Sequence, residues 1–498
     1  MAGPPCVKFP RIVSPSGTVP EIAMTSVSHR PALLITTLAE YQTAFWLRVG
    51  LALRDRGVHA LFLTYDDRSH ERLRAAGLPS LNAFDAARAA GAAAGAPAFD
   101  EWVHRLGVAD PNLWMSHERV AFGLRDGVEL RRKFCAGAAA AEAAVALLRD
   151  EGRTPVVVQE LGGFLSVIGA FFVARARGLD HYFIEPSFFK GRFLFLKNTF
   201  AAQKIAPEPT AELTPEVRRL LEKTRASQSL VIPLKDKHHY AAPERKILNA
   251  RNVKRFFQKW WDRRMGKRQE FGYLGAHVAG HLRMVANGWR LKGSYTPLNA
   301  LGRFVYYPLH VPGDVALTLR APDYFDQLAF IDYLARTVPV SHRVAFKEHP
   351  AMIGALDAGR IRSLLRRHDN VFLLSPDTNN YDVLNAAEAV VTVNSKSGAE
   401  ALMLGKPVFV LGDAFYRQAP SVRRIDHLAQ LPGALRALFQ GPVAPPDGRA
   451  VERFFQEVWN ATWPGELYQP TDEAAARFAD SLVHAVAADR GPAAGGGA

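Results

Sequence analysis

Short apolar runs alternate with longer helical patterns along most of the chain. The first run, residues 31–37, is followed by a helical pattern over 43–56 and by a second apolar run over 58–64. Apolar runs of this length, bounded by polar residues, are typical of strands that are buried on both faces of a parallel sheet. The pattern therefore predicts a βαβ unit at the start of the fold.

The alternation returns in the second half of the chain, where polar residues follow the strand-like runs. These runs cover 303–308, 344–346, 371–374, 389–393 and 408–411. Ligands of open α/β sheets bind outside the carboxyl ends of the strands, so the residues after each run are candidates for chemistry. With 498 residues, the chain is long enough for two such domains, each with its own core.

A βαβ unit over 389–412 is the most distinctive of these segments. Its first strand ends in a polar turn that contains Asn394 and Ser395. The next residues predict a capping box, with Ser397 as the N-cap of a short helix and Glu400 at its third position. The strand thus leads directly into the start of a helix.

The start of this helix would suit an anion. The first amide groups of a helix have no partner within it, and the helix dipole favours negative charge there. Gly398 would let a phosphate approach the backbone closely. The alternative is that Ser397 and Glu400 only cap a structural helix.

A second polar group follows the run 344–346 and consists of Lys347, Glu348, His349 and Pro350. We expect the lysine and the histidine to hold a diphosphate or a nucleoside monophosphate at the same edge of the sheet. The proline restrains the histidine to an extended conformation. The alternative is a loop histidine without a ligand.

Together, the two motifs resemble those of the bacterial capsular polysaccharide biosynthesis family. The resemblance lies in Lys347-Glu-His-Pro350 and Val393-Asn-Ser-Lys-Ser-Gly-Ala-Glu400, with support from Tyr307-Pro-Leu-His-Val-Pro-Gly-Asp314 and Tyr324-Phe-Asp-Gln327. This family includes Kdo transferases of capsule assembly. It shares a His-Pro and Ser-containing nucleotide site with bacterial sialyl- and polysialyltransferases. The resemblance covers 303–468 well and the N-terminal half only loosely.

The resemblance implies a GT-B-like α/β architecture, in which two Rossmann-like domains face a central cleft. It further implies that the C-terminal domain binds a CMP-activated acid sugar, with Kdo as the first choice. The phosphate would be held by Lys347, His349, Ser395 and Ser397, and Glu400 would reach the ribose. The rest of the implied nucleotide site comprises Glu348, Pro350, Asn394 and Gly398. The chain has no Asp-x-Asp motif, so we expect a metal-independent reaction without a cofactor, with the CMP-sugar as donor substrate.

Carboxylates end two strand-like runs in the N-terminal half. Glu160 precedes two glycines, and Glu185 precedes a proline. A carboxylate at such an edge can deprotonate an acceptor hydroxyl or act as a nucleophile. The alternative for each glutamate is to cap a turn or to pair with Arg192 or Lys190.

His310 is the third candidate catalytic residue, because it follows the strand-like run 303–308. We expect it on the substrate side of the cleft, and the alternative is a loop histidine without a ligand. The related sialyltransferases carry an acidic pair followed by glycine in their first half. Glu160-Leu-Gly-Gly163 is the nearest match here.

Residues 235–292 are the most basic part of the chain, and Phe256, Phe257, Trp260 and Trp261 are interspersed among its lysines and arginines. A basic helix with aromatic residues can lie on an anionic membrane, which would suit a lipid-linked acceptor. It can also bind an anionic polymer. The third interpretation is an interdomain helix with a solvated basic face.

The amino-acid composition limits the classes of protein to which the chain can belong. The chain is 48% hydrophobic and 22% charged, with a formal net charge of +14, as expected of a basic globular protein. It has no apolar run long enough for a transmembrane helix and no signal peptide, and its two cysteines, Cys6 and Cys135, imply no disulfide framework. We expect a cytoplasmic protein, peripheral on the inner membrane if the basic segment meets lipid.

Nucleic acid is the weakest candidate among anionic partners, because the sequence contains no helix-turn-helix, zinc-finger or aromatic RNA-binding motif. The chain also lacks Gly-x-Gly-x-x-Gly, which argues against a dinucleotide dehydrogenase. The expected partners are a nucleotide sugar, a lipid-linked or polysaccharide acceptor, the inner-membrane surface and the capsule export machinery. Two other functions stay open: a polymer phosphotransferase that uses CDP-glycerol, and a non-catalytic capsule-assembly or export protein that retains the fold.

The predicted organisation has six parts. They are a disordered N-terminus (1–29, with Met24 as a candidate start), an acceptor domain (30–230), a basic helical segment (231–300), a nucleotide-sugar domain (301–468), a helix that crosses back (469–489) and a flexible tail (490–498).

Overall fold

Two seven-stranded sheets organise the chain. The computed structural model describes residues 30–91, 96–208, 212–228, 250–271, 273–441 and 447–489. The predictions for 1–29, 229–249 and 490–498 lie outside the described residues.

The first sheet has the strand order β14-β6-β5-β4-β1-β2-β3. Its strands are β1 Arg30–Thr37, β2 His59–Thr64, β3 Ser80–Asn82, β4 Arg153–Glu160, β5 His181–Pro186, β6 Arg192–Lys197 and β14 Trp463–Pro464. Strands β1 to β5 pair in parallel, while β6 and β14 are antiparallel to their neighbours. The order reverses between β1 and β4, as in a doubly wound fold.

The second sheet has the order β13-β12-β11-β8-β9-β10-β7, and all its pairs are parallel. Its strands are β7 Tyr295–Thr296, β8 Phe304–Pro308, β9 Arg343–Lys347, β10 Val371–Leu374, β11 Ala389–Thr392, β12 Val408–Val410 and β13 Val422–Arg424. Here the order reverses between β8 and β11. The prediction of two Rossmann-like α/β domains is therefore confirmed.

Helices cover both faces of each sheet. They span Glu40–Asp55, Asp67–Ala75, Ala83–Ala89, Ala96–Leu106, Pro111–Phe122, Gly127–Asp150, Leu165–Ala176, Pro215–Ser227, Ala250–Arg264, Leu274–Leu291, Val315–Thr318, Gln327–Thr337, Ala358–Arg367, Asn380–Ala386, Lys396–Met403, Leu431–Gln440, Gly448–Asn460 and Asp472–Ala488. Successive residues of a strand enter opposite cores: Leu33 packs in one cluster and Leu34 in another. This explains why the strands are continuous apolar runs rather than alternating ones.

The last helix, Asp472–Ala488, packs on the first domain against Glu40–Asp55. Its Phe478 is fully buried, with ring centroids 5.3 Å from Phe45 and 4.9 Å from Phe193. The chain that begins in the first domain thus returns to it after completing the second.

Two boundaries differ from the predicted ones. The helix Pro215–Ser227, which we assigned to the first domain, belongs to the core of the second, where Arg225 pairs with Glu452 at 2.9 Å. Strand β14, which we assigned to the second domain, extends the first sheet. Both segments cross between domains, and such long-range packing leaves no local sequence pattern.

The basic segment is divided between the domains. Its helix Ala250–Arg264 is tied to the first domain by an ion pair between Asp262 and Arg68. Its helix Leu274–Leu291 is tied to the second by Asn287, whose amide donates to the carbonyl oxygens of Gly354 and Leu356 at 3.0 Å each. Among the described helices, none is both long and apolar enough to cross a membrane.

Candidate active site

A cavity of about 610 Å³ lies between the two domains, at the carboxyl ends of the strands that flank both reversals of strand order. Every predicted site residue except Gly398 lines it, namely Glu160, Glu185, His310, Lys347, Glu348, His349, Pro350, Asn394, Ser395, Ser397 and Glu400. The cavity therefore brings together residues that are up to 240 positions apart in the sequence. This is the position at which doubly wound sheets bind ligands.

An ion pair joins the two domains across this cleft. Arg320 of the second domain donates from both terminal nitrogens to the two carboxylate oxygens of Glu185, at 2.8 and 2.9 Å. Its Nε also donates to the carbonyl oxygen of Phe200 at 2.6 Å, and its side chain is only 7% exposed. Further contacts between the domains are those of Ala202 with Asp413 and of His117 with Thr318.

The ion pair argues against Glu185 as the general base. Both carboxylate oxygens accept hydrogen bonds from the buried guanidinium group of Arg320, so the carboxylate is directed at the second domain and not at an acceptor hydroxyl. The predicted alternative was pairing with Arg192 or Lys190, and that partner assignment was wrong. We assign Glu185 to positioning the domains.

Glu160 ends β4 at the reversal point of the first sheet. Its Oε2 accepts a hydrogen bond from the Gln42 amide at 3.0 Å and a second one from the Tyr468 hydroxyl. The Gln42 side-chain oxygen in turn accepts from the Leu38 amide at 2.8 Å. This network fixes the direction in which the carboxylate faces the cavity, as a base that acts on a bound hydroxyl requires.

His310 and Asn394 meet at the reversal point of the second sheet. The Asn394 backbone N–H donates to Nε2 of His310 at 3.3 Å, so the proton of the neutral ring is on Nδ1. Gln327 holds the His310 backbone through two hydrogen bonds, at 2.7 and 3.1 Å. Nδ1 of His310 and Oδ1 of Asn394 are buried without a hydrogen-bond partner among the residues that the structure describes.

Burial lowers the pKa of His310 to about 4. At neutral pH the ring is therefore uncharged and a weak base, which argues against His310 as the residue that deprotonates an acceptor. Nδ1 of His310 and Oδ1 of Asn394 thus keep unused hydrogen-bonding capacity on two residues that line the cavity.

The helix at the end of β11 begins two residues earlier than predicted. It spans Lys396–Met403, and its N-cap is Ser395, whose Oγ accepts from the Ser397 amide at 3.2 Å. The predicted capping box of Ser397 and Glu400 was therefore wrong, because Glu400 lies in the second turn. The start of the helix still lies at the cavity edge, where Ser395 and Ser397 line it. The amides of Ser397 and Gly398 donate to Ser395 itself.

Gly398 has a structural reason for lacking a side chain. A Cβ placed there would lie 2.3 Å from the Tyr416 hydroxyl oxygen, and Tyr416 is fully buried with its hydroxyl donating to the Ser395 carbonyl oxygen. Glycine is thus required by the packing of Tyr416. The close approach of a phosphate at this position stays a prediction.

Glu400 lines the cavity, and its side chain is hydrogen-bonded within the second domain. It is buried, and its Oε2 accepts from the Asn380 side-chain amide at 2.8 Å. The same amide donates to Ser397 Oγ at 3.2 Å. Burial raises the pKa of Glu400 to about 7, in spite of the nearby cationic groups of Lys396 and Lys347.

Lys347 is the buried cation of the site. Its ammonium donates to the Thr378 carbonyl oxygen at 2.7 Å, and burial lowers its pKa to about 8. At neutral pH it is still mostly charged, in surroundings where few other groups solvate it. An anion in the cavity would offset this cost, which makes Lys347 a strong phosphate ligand.

The residues that follow Lys347 differ in role: Glu348 stabilises the loop, whereas His349 and Pro350 lie at the cavity. Glu348 is buried and accepts from the Gly354 amide at 2.9 Å and from the Tyr295 hydroxyl at 3.4 Å, so its carboxylate stabilises the following loop. His349 accepts from the Ala351 amide through Nδ1 at 3.2 Å, which leaves the proton of the neutral ring on Nε2. Pro350 lies at the cavity edge.

Several residues of the cleft were not predicted from the sequence. Arg320, Gln42 and Tyr468 carried no local signal, because their partners are more than 100 positions away. Asn380 follows another asparagine at the start of a helix, a pattern that indicates capping and not a site. Lys396 lies within the recognised motif, and its Nζ donates to the Ser187 carbonyl oxygen across the cleft at 3.4 Å.

The fold and the cleft define a two-domain protein of the GT-B type. Residues 294–420 match the model of the family described as "Capsule polysaccharide biosynthesis protein". The matched region contains both the His-Pro motif and the Ser-containing helix start, so the predicted family resemblance is confirmed there. The described residues contain no group of three or more His, Cys, Asp or Glu side chains suited to a metal ion.

Similar proteins fall into two groups. "Protein FixF" of Sinorhizobium fredii (strain NBRC 101917 / NGR234) is 30% identical over 192 residues, which is 38% of this chain and 45% of the relative. The chain thus spans about half the length of that relative. Solved structures include the beta Kdo 2,7 transferase of Thermosulfurimonas dismutans KpsC, at 13% identity and a TM-score of 0.34, with 70% of this chain and 90% of that chain covered. Another is the UDP-GlcNAc 2-epimerase of Methanocaldococcus jannaschii, at 13% identity and a TM-score of 0.25, with 86% and 98% covered.

Substituting Glu185 tests its assignment to domain positioning. Glu185→Gln removes the carboxylate that pairs with the buried Arg320, and only the more distant charges of Asp413 and Asp314 remain. We expect a loss of about 3 kcal/mol in the free energy of unfolding in urea. The double variant Glu185→Gln/Arg320→Gln should recover part of this loss. Glu473→Gln is the matched control, because its pairing with Arg477 is exposed, and its cost should stay below about 1 kcal/mol. A stable Glu185→Gln protein would instead support a catalytic carboxylate.

Proposed function

We propose that this protein is a glycosyltransferase of capsular or other surface polysaccharide biosynthesis. It transfers a sugar from a CMP-activated donor, with Kdo or another acid sugar as the first choice, to a lipid-linked or polysaccharide acceptor. The observation that carries the proposal is the cavity between the two reversal points. One side of it is lined by cationic side chains and the start of a helix, and the other side by the carboxylate of Glu160, which is oriented by hydrogen bonds. The family match of residues 294–420 supports the same class.

The second domain would bind the donor. Lys347, Lys396 and His349 would supply charge or N–H donors to the phosphate, and the positive end of the dipole of the helix Lys396–Met403 would add to their attraction. Fixed donors of this kind stabilise the leaving phosphate without a metal ion, so we propose a metal-independent reaction.

The first domain would present the acceptor to Glu160. The carboxylate takes the proton of the acceptor hydroxyl. At the same time, the hydroxyl oxygen forms a bond to the anomeric carbon of the donor. The bond between that carbon and the phosphate oxygen breaks, and its electron pair leaves with CMP. Gln42 and Tyr468 hold the carboxylate for this step.

Calorimetric titration with CMP, UDP and GDP tests the donor site. We expect CMP to bind most tightly. His349→Ala should weaken it roughly tenfold or more, because a hydrogen bond to a charged group is worth about 1.5–3 kcal/mol. His484→Ala is the matched control, since this exposed histidine lies on the last helix. Preferred binding of UDP or GDP would contradict the choice of a CMP donor.

Substituting Glu160 tests the chemical step. Glu160→Gln keeps the shape of the side chain but not its basicity, so transfer from CMP-Kdo should fall by roughly 100-fold or more while CMP affinity is retained. Glu473→Gln, a change on an exposed surface, should leave the rate unchanged. An equal rate in the Glu160 variant would exclude it as the base. Product formed from CDP-glycerol and not from a CMP-sugar would favour the phosphotransferase, and nucleotide binding without any product would favour the non-catalytic protein.

The lowered pKa of Lys347 predicts a pH dependence of CMP binding. The lysine of the empty site loses its proton near pH 8, whereas a bound phosphate keeps it protonated, so the affinity should fall about tenfold between pH 7 and 9. Glu400 acts in the same direction, because it ionises near pH 7 and adds negative charge. Lys347→Met should bind weakly with a flatter profile, and Glu400→Gln separates the second contribution. An affinity that is constant or rises with pH would contradict the role of Lys347.

A further inference from the structure

The helix Ala250–Arg264 and the residue after it present an apolar face to solvent. Phe257, Trp260, Trp261 and Met265 are each between 51% and 62% exposed. Their spacing of three and four residues places them on one side of the helix. Two tryptophans, a phenylalanine and a methionine on one exposed face form a larger apolar surface than single exposed side chains do.

The opposite side of this helix anchors it to the protein. Asp262 is buried and pairs with Arg68, and Lys259 donates to the Phe271 carbonyl oxygen at 3.2 Å. The exposed side of the helix therefore carries large apolar side chains together with Arg263 and Arg264, whereas the apolar side chains of an ordinary surface helix face the core. Folding of this chain alone does not explain that orientation.

The helix Leu274–Leu291 repeats the arrangement. Val278, Leu282 and Trp289 are between 42% and 61% exposed and lie on one side, at intervals of four and seven residues. Its inward side carries Met284 and Asn287, which are buried against the second domain. We call the seven exposed apolar side chains of the two helices the outer apolar surface: Phe257, Trp260, Trp261, Met265, Val278, Leu282 and Trp289.

The charges around the outer apolar surface have one sign. Residues 257–292 contain only two acidic residues, Asp262 and Glu270, and both are buried in ion pairs. The exposed charged side chains of this segment are all cationic, namely Arg263, Arg264, Arg283, Arg290 and Lys292. An apolar surface that is bordered by cations is complementary to a partner with an apolar interior and an anionic outer layer.

We propose that the outer apolar surface docks on an anionic lipid bilayer. Tryptophan is enriched at the level of the lipid head groups, and arginine is attracted by their phosphates. The aliphatic members, Met265, Val278 and Leu282, favour the acyl boundary of a bilayer over a sugar polymer or a nucleic acid, since neither offers an apolar interior. The proposal does not depend on the transferase activity.

Flotation of the full chain with lipid vesicles tests this proposal. We expect the protein to float with vesicles that contain phosphatidylglycerol and to bind vesicles of phosphatidylcholine alone more weakly. Trp260→Ser/Trp261→Ser/Met265→Ser should weaken binding roughly tenfold or more. The matched control Val128→Ser/Val340→Ser removes exposed apolar side chains elsewhere and should bind like the original protein. Thermal unfolding of each variant shows that the fold is intact.

A second set of variants separates the electrostatic contribution. Arg264→Gln/Arg283→Gln/Arg290→Gln should weaken binding only to anionic vesicles, by roughly fivefold for each charge. Arg366→Gln/Arg436→Gln changes exposed arginines of the second domain and should have no effect. The proposal is overturned if the original protein stays unbound with both vesicle types, or if the tryptophan variant binds equally well. It is also overturned if the surface instead mediates self-association or binds a soluble anionic polysaccharide without vesicle binding.

Discussion

The geometry of the cleft depends on one buried ion pair. Glu185 at the end of β5 and Arg320 beyond β8 join the two domains through two parallel hydrogen bonds. Such a pair is costly to bury, and its Coulombic gain offsets that cost only when the geometry holds. It therefore specifies a relative position of the domains more than it adds stability. The reversal points of both sheets face one cavity in that position.

The side of the cleft that we propose for the donor contains two buried ionisable groups, which are poorly solvated. Lys347, Glu400 and Asn380 lie together, and burial shifts the pKa of the lysine down and that of the glutamate up. Both shifts bring the pKa values closer to 7, so the charge of the site changes near physiological pH. An arriving phosphate would stabilise the cation and would disfavour the ionised carboxylate.

Much of the fold could be predicted from the sequence, because strands buried on both faces are continuous apolar runs. The residues at their carboxyl ends, such as Lys347, Asn394 and Glu160, were found for the same reason. The helix start was misplaced, since Ser395 and Ser397 are equally good caps by sequence and only the backbone distinguishes them. Gly398 was interpreted as a phosphate contact because its neighbour Tyr416 is 18 positions away.

Side-chain partners that are far apart in the sequence could not be predicted from it. The carboxylate of Glu185 pairs with an arginine 135 positions away, and Glu160 with a tyrosine 308 positions away. The helix Pro215–Ser227 was placed in the wrong domain because its amphipathic pattern does not state which core it covers. Local patterns specify elements and their exposed ends, whereas the pairing of charges across a cleft follows from the tertiary fold.

A crystal structure of the protein with bound CMP tests the central claim most directly. The account predicts the phosphate within hydrogen-bond distance of the Lys347 ammonium and next to the start of the helix Lys396–Met403, with Glu160 facing it across the cavity. A nucleotide bound elsewhere, or a phosphate that contacts neither Lys347 nor the start of the helix Lys396–Met403, would contradict it.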